Sequence, residues 1–256
     1  MIFTDVIFFV FLGLVFSAYW MLKGKEARLN LLLCASIVFY GWWDWRFLGL
    51  IGFVILVSWG VALFASQRRP GTRARRIALI FGIASNLAVI ATFKYFGFFA
   101  DSARTMLATV GIDPGWTALN ILLPVGISFY VFQAISYIVD VARGDLAAEP
   151  RLQRVALYVA FFPQLVAGPI VRAASFFPQM ERIKTLSSKL VFTGLRAFAL
   201  GFAYKAGIAD NLAQFVDPVF GDAQVAGDTD LAAWSNLALI SSTLAFAGLI
   251  YFDFAG

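Results

Sequence analysis

The stretch RFLGLIGFVILVSWGVALFAS, residues 46–66, carries its single charge at its first position. About 20 apolar residues coiled as a helix match the thickness of a bilayer's hydrocarbon core. Working outward, comparable runs lie at 5–22, 29–43, 77–100, 121–142, 190–209 and 231–252, which makes seven expected spans. The composition agrees. Of 256 residues, 61% are hydrophobic and 14% charged, against about 45–50% and about 25% in a water-soluble domain. Mean hydropathy is +0.82. Twenty-eight Phe, eight Tyr and seven Trp exclude intrinsic disorder. The expected fold is an all-α polytopic membrane protein, one membrane-embedded domain over 1–256.

The placement of charge sets the orientation. Lys23, Lys25 and Arg28 fill the first gap, and Arg68, Arg69, Arg73, Arg75 and Arg76 fill the third. Basic loops stay in the cytoplasm, which puts the N-terminus outside. The segments 143–154 and 172–189 then fall inside, and 101–120 and 210–230 outside. The last holds Asp210, Asp217, Asp222, Asp228 and Asp230 with no Lys or Arg. The first span has no basic residue before Lys23 and no small-residue cleavage site after it, so it stays as a helix and is no signal peptide. A net charge of +5 would suit nucleic acid, but the basic residues sit between apolar runs. The expected surroundings are membrane lipid, with no nucleic-acid partner.

Residues 155–170 are apolar but short, and contain Pro163, Gly168 and Pro169. Proline removes an amide donor and breaks the helix ladder. Non-helical backbone at membrane depth is tolerated only inside protein or beside a wet cavity. The segment therefore reads as re-entrant from the cytoplasmic face, with a kinked ordinary helix as the alternative. Phe161-Phe162-Pro163-Gln164 recurs as Phe176-Phe177-Pro178-Gln179, which reads as two helix breaks of similar chemistry.

Several chemistries are excluded. The chain has no histidine, so the commonest general base and neutral metal ligand are missing. One cysteine, Cys34, permits no internal disulfide or cysteine-rich metal site. Its neighbours Leu31, Leu32, Leu33 and Ile37 suggest a buried, inert thiol. No phosphate-binding glycine loop, dinucleotide fingerprint or nucleophile elbow occurs. Trp42, Trp43 and Trp45 fit an interfacial aromatic belt.

The polar residues inside the spans are the candidates for function. Phe129, Gln133, Ser136, Tyr137 and Asp140 follow i, i+4, i+7, i+8, i+11 spacing, one stripe of an apolar helix. Lipid offers that stripe no partners, so it faces the interior either as helix–helix glue or as a cavity lining. Lys94 is either an intramembrane functional charge or a snorkelling side chain. Arg196 lies close enough to a cytoplasmic end to snorkel. Lys205 and Asp210 bracket an outer end and could pair.

The string Leu123-Pro124-Val125-Gly126-Ile127-Ser128-Phe129-Tyr130-Val131-Phe132-Gln133, continued by Ala134-Ile135-Ser136-Tyr137 and Asp140, resembles the membrane-bound O-acyltransferase family. Phe162-Pro163-Gln164-Leu165-Val166-Ala167-Gly168-Pro169-Ile170-Val171-Arg172 and Tyr251-Phe252-Asp253-Phe254-Ala255-Gly256 strengthen the likeness. The most similar branch is bacterial and contains the alginate O-acetylation membrane protein and the teichoic acid D-alanyl transfer protein. The resemblance implies acyl transfer from a cytoplasmic donor, acetyl-CoA or an acyl carrier, through a tunnel in the inner membrane. It implies a polysaccharide acceptor, a periplasmic acetyl-handling partner and no bound cofactor. Tunnel candidates are Phe129, Gln133, Ser136, Tyr137, Asp140, Pro163, Gln164, Gly168, Pro169 and Asp253.

The family's catalytic histidine follows the Tyr-Phe-Asp-Phe string, at which this chain stops, so no catalytic residue carries over. The expectation is the N-terminal part of a longer enzyme, an incomplete family fold, inactive alone. Asp140, Asp253, Lys94 and tyrosines remain as replacement bases. The alternatives are a transporter or channel, which would carry a second copy of the Leu-Pro-Val-Gly-Ile-Ser region, and a non-catalytic scaffold of a polymer-export complex.

Overall fold

The structure, a computed structural model, describes residues 5–109, 123–165, 168–182, 185–220 and 234–256, and all their regular structure is helical. α1 is Val6–Met21, α2 Lys25–Asp44, α3 Phe47–Ser66 and α4 Arg73–Ile90. A π turn, Ala91–Tyr95, joins α4 to α5, Phe96–Thr109. α6 is Ile127–Arg143, α7 Leu152–Ala160, α8 Phe162–Leu165 and α9 Ala173–Glu181. α10, Ser188–Phe202, runs through a second π turn, Ala203–Ala209, into α11, Asp210–Phe220. α12 is Asn236–Ala255.

Among the described residues three helices are long and apolar enough to cross a membrane: Phe47–Ser66, the continuous Arg73–Thr109, and Asn236–Ala255. α1 is shorter but also apolar. Two expected loops begin as helix instead. The run ending at residue 100 continues to Thr109, and the one ending at 209 continues to Phe220. Polar residues such as Asp101 and Arg104 signal exit from hydrocarbon, but it takes Gly, Pro or a cap to end a helix. The remaining parts of those loops, 110–120 and 221–230, lie outside the described residues, as do 121–122 and 231–233 at the starts of two expected spans.

The chain divides into two compact units, Val10–Ile183 and Lys184–Gly256 with Ile2–Phe9. In the first, α6 packs against α3 and α4, and α7 against α2, α3 and α9. Val54, Ala62, Val131, Ala134, Val155 and Val159 have no exposed surface at all. Small residues permit this closeness: a Cβ built on Gly82 would come within 2.9 Å of Val61 Cγ1. Next to that contact Asn86 Nδ2 donates to Ser58 Oγ at 3.2 Å. Cys34, expected among buried leucines, is exposed, because α2 turns Ser36 and Phe39 to the core instead.

In the second unit, α10 and α12 start on serines whose hydroxyls accept from the backbone, Ser187 from Leu190 N at 3.4 Å and Ser235 from Ala238 N at 3.2 Å. Capping of this kind stabilises a helix start by about 1 kcal/mol. Phe9 sits edge-on to Phe198 and Phe202, ring centroids 5.9 and 6.0 Å away. Lys205, in the second π turn, pairs with Asp210 at 3.0 Å and Asp253 at 2.5 Å.

Candidate functional site

Glycines bound α6 at both ends. Gly126 precedes it at φ 72° and Gly144 follows it at φ 85°, a conformation that a Cβ disfavours. At the C-terminal end Asp145 N donates to Asp140 O at 3.0 Å and Gly144 N to Val141 O at 3.2 Å. This pair of bonds closes the last turn as a Schellman motif. The next carbonyl, Ala142 O, accepts from Arg75 Nη2 at 2.6 Å.

The polar stripe of α6 meets the end of α7. Pro163 has no amide hydrogen, and in an unbroken helix its ring would press on the Val159 carbonyl. The helix stops at Ala160, and Phe161 turns to φ −57°, ψ 111°. The break would orphan the Tyr158 carbonyl and the Phe162 amide in a fully closed interior. Side chains take both. Gln133 Nε2 donates to Tyr158 O at 2.7 Å and Gln164 Nε2 at 2.9 Å. Phe162 N donates to Ser36 Oγ at 3.1 Å. The next breach, at Gly168, depends on a backbone contact: Gly168 N donates to Gln164 O at 3.1 Å. A Cβ on Gly168 would lie 2.5 Å from Gln164 Cα.

Around this knot the tyrosines are tied to backbone. Tyr158 Oη donates to Val171 O at 2.8 Å, and Ser136 Oγ lies 3.5 Å from Tyr158 Oη. Tyr137 Oη accepts from Glu149 N at 3.0 Å. Phe176 and Phe177 pack on the Tyr158 ring, centroids 5.5 and 5.4 Å away. Asp140 is 7% exposed, and its Oδ2 makes no hydrogen bond among the described residues.

Outside the apolar interior, Arg154 bonds Glu149 Oε2 at 3.3 Å and Glu26 Oε1 at 3.5 Å, and also pairs with Glu181. Glu181 in turn pairs with Lys25. The Lys25 hydrogen bond, with a further contribution from Arg154, lowers the Glu181 carboxyl below its ordinary range.

Seven of the ten candidates gather here. Gln133, Tyr137, Asp140 and Gln164 are buried, and Phe129, Ser136 and Gly168 are half-buried. Pro163 and Pro169 belong to the same bend but are exposed. Asp253 lies in the second unit, paired with Lys205. Lys94 is exposed within a continuous helix, its ammonium 5.7 Å from the Tyr95 ring centre. Ser36, Tyr158 and Arg154 are additions that the residue pattern does not single out. A lone serine in an apolar helix carries no signal of its own, because its partner lies 126 residues away.

The second Phe-Phe-Pro-Gln copy corrects an expectation. Pro178 lies inside α9 and breaks nothing. Its ring opposes the carbonyl of Ala174, an exposed residue, so an unbonded carbonyl there is not sealed in the interior. Val159, opposite Pro163, has no exposed surface.

A helical membrane protein with a side-chain-capped break in a buried short helix is the class these features define. The sequence is 37% identical over 99% of its length to the probable alginate O-acetylase AlgI of Azotobacter vinelandii, covering 48% of that protein. It is likewise 37% identical over 99% of its length to that of Pseudomonas aeruginosa, covering 46%. It is 30% identical over 99% of its length to the peptidoglycan O-acetyltransferase of Helicobacter pylori, covering 51%. The chain spans about half the length of the curated relatives it matches. No family model matches it. These relatives bear out the resemblance to the bacterial branch that contains the alginate O-acetylation membrane protein.

Proposed function

We propose that the chain forms part of a membrane O-acetyltransferase that moves an acetyl group from a cytoplasmic donor toward a hydroxyl of an extracytoplasmic, alginate-like polysaccharide. The observation that carries this reading is 37% identity along 99% of the chain to proteins named alginate O-acetylase. The 30% identity to a peptidoglycan O-acetyltransferase supports polysaccharide as the acceptor class.

In this reading seven helices span the bacterial inner membrane with the N-terminus outside, and 155–170 dips in from the cytoplasmic face and returns. The donor is acetyl-CoA or an acyl carrier. Its path is bordered by Phe129, Gln133, Ser136, Tyr137 and Asp140 together with Pro163, Gln164, Gly168 and Pro169, and Asp253, in the second unit, is a separate candidate. The capped break supports this assignment, since irregular backbone at membrane depth needs protein partners. Tyr158, held by Val171 O and flanked by Gln133 and Gln164, keeps the bend in one geometry.

Transfer requires a base to take the acceptor's hydroxyl proton as its oxygen attacks the acyl carbon, the donor's C–S bond breaking and its sulfur leaving as the thiolate that the proton then neutralises. These 256 residues contain no histidine, and we assign the base to a histidine outside them. A periplasmic acetyl-handling protein completes delivery to the polymer. The test is complementation: a strain lacking its own alginate O-acetylase receives the complete gene, and ester-linked acetate on secreted polymer is measured. Restored acetylation supports the reading. Export of unacetylated polymer at normal levels, with the protein present in the membrane, would leave a scaffold instead.

A further inference from the structure

In the hairpin of α3 and α4, Val61 packs directly against Gly82, and the Asn86–Ser58 bond joins the helices next to that contact. On the connecting-loop side of that contact a wide-mouthed apolar cavity of about 550 Å³ lies between the two helices. Gly60 and Phe64 line it from α3, and Ala74, Ile77, Ala78 and Phe81 from α4. No lining residue is polar, and Ile77 and Phe81 are 58% and 59% exposed, so nothing among the described residues covers them.

The loop end of the hairpin is strongly cationic. Arg68, Arg69, Arg73 and Arg76 are all exposed, and none forms an ion pair among the described residues. The Arg68 guanidinium lies 4.9 Å over the Phe64 ring, a wall of the cavity. Arg75, the fifth arginine, is committed to Ala142 O.

We propose that this cavity is a binding site for an anionic phospholipid, with one acyl chain between α3 and α4 and the phosphate held by Arg68, Arg69, Arg73 and Arg76. The two halves of the site select the occupant together. A soluble anion would satisfy the arginines and leave the cavity empty. An apolar helix would fill the cavity and leave four guanidinium groups without counter-charge. An amphiphile with an anionic head meets both, as in other basic pockets between membrane helices.

The test uses the purified chain in phosphatidylcholine nanodiscs doped with phosphatidylglycerol bearing a photoactivatable group on one acyl chain. Adducts mapped by mass spectrometry should concentrate on residues 60–64 and 74–81. Arg68→Gln with Arg73→Gln should lower the adduct yield about 25-fold, at roughly 1 kcal/mol for each of the two basic residues near the headgroups and 1.4 kcal/mol per factor of ten. Gly60→Leu should lower it comparably without touching charge, because a Cβ there meets nothing within 4 Å and a longer side chain fills the cavity. Unchanged helical circular dichroism separates both effects from misfolding. Equal labelling by a phosphatidylcholine probe, adducts spread evenly over the lipid-facing helices, or a crosslink to a second copy in the cavity would each overturn the proposal.

Discussion

The Tyr158 carbonyl offers a sharp test of how the break in α7 is held. Two amide side chains donate to it, Gln133 at 2.7 Å and Gln164 at 2.9 Å, and Tyr158 itself is fully buried. Replacing either glutamine by leucine removes one net hydrogen bond, about 1 kcal/mol. The other glutamine still satisfies the oxygen, so each single change should be mild. The double replacement leaves a closed-off carbonyl with no partner, and an unsatisfied buried group costs about 1–3 kcal/mol beyond the bonds themselves. The double variant should therefore lose about 3–5 kcal/mol where the singles sum to about 2 kcal/mol. Unfolding of the purified protein in bicelles by titrated SDS, followed by tryptophan fluorescence, yields all four corners of the cycle. Additivity within about 0.5 kcal/mol, the usual result for independent sites, would refute the shared-carbonyl argument.

Further outcomes follow from the same geometry. Gly168→Ala places a Cβ 2.5 Å from the Gln164 backbone; it should lower acetylation by the complete enzyme at least as much as Gln164→Leu, and wild-type activity would show that the bend tolerates the shift. The lowered Glu181 carboxyl contributes stability that is present above its unfolded value, about 4.3, and lost as pH falls through the still lower folded value. Glu181→Gln should accordingly flatten the loss of stability on acidification below about pH 4.5, measured by thermal unfolding in detergent. Cysteine labelling in intact cells should find Arg69→Cys reachable only from the cytoplasm and Asp217→Cys only from outside, and both on one side would sink the proposed orientation. Residues 1–256 expressed alone should give no polymer acetylation, and ester-linked acetate from them would make Asp140 and Asp253 the first residues to mutate.

Much of the site is legible in residue patterns, and the reason differs by feature. The i, i+3, i+4, i+7 spacing of Gln133, Ser136, Tyr137 and Asp140 places them on one face whatever they touch, and three of the four are buried. Pro163 announces a break because its chemistry is local. Where the break falls, at Phe161, depends on which carbonyl the ring would strike and whether water can reach it. That is why Pro178, in the same tetrapeptide, sits inside a helix. The helical continuations through Asp101 and Asp210 escape a hydropathy reading because polarity marks the edge of hydrocarbon and leaves helix propensity intact. Ser36 cannot be read from its surroundings at all, since its role is set by α8 arriving from far along the chain.

The arginine that caps α6 has a practical consequence. In any count of loop charges, Arg75 weighs the same as its four neighbours. Yet its guanidinium is bonded to Ala142 O at 2.6 Å, while the others form no ion pair among the described residues. Neutralising the whole loop to invert the chain in the membrane would therefore also uncap the helix that carries Gln133 and Asp140. A variant altered at 68, 69, 73 and 76 leaves that cap in place, and one altered at 75 removes it. Orientation and the integrity of α6 share a single side chain.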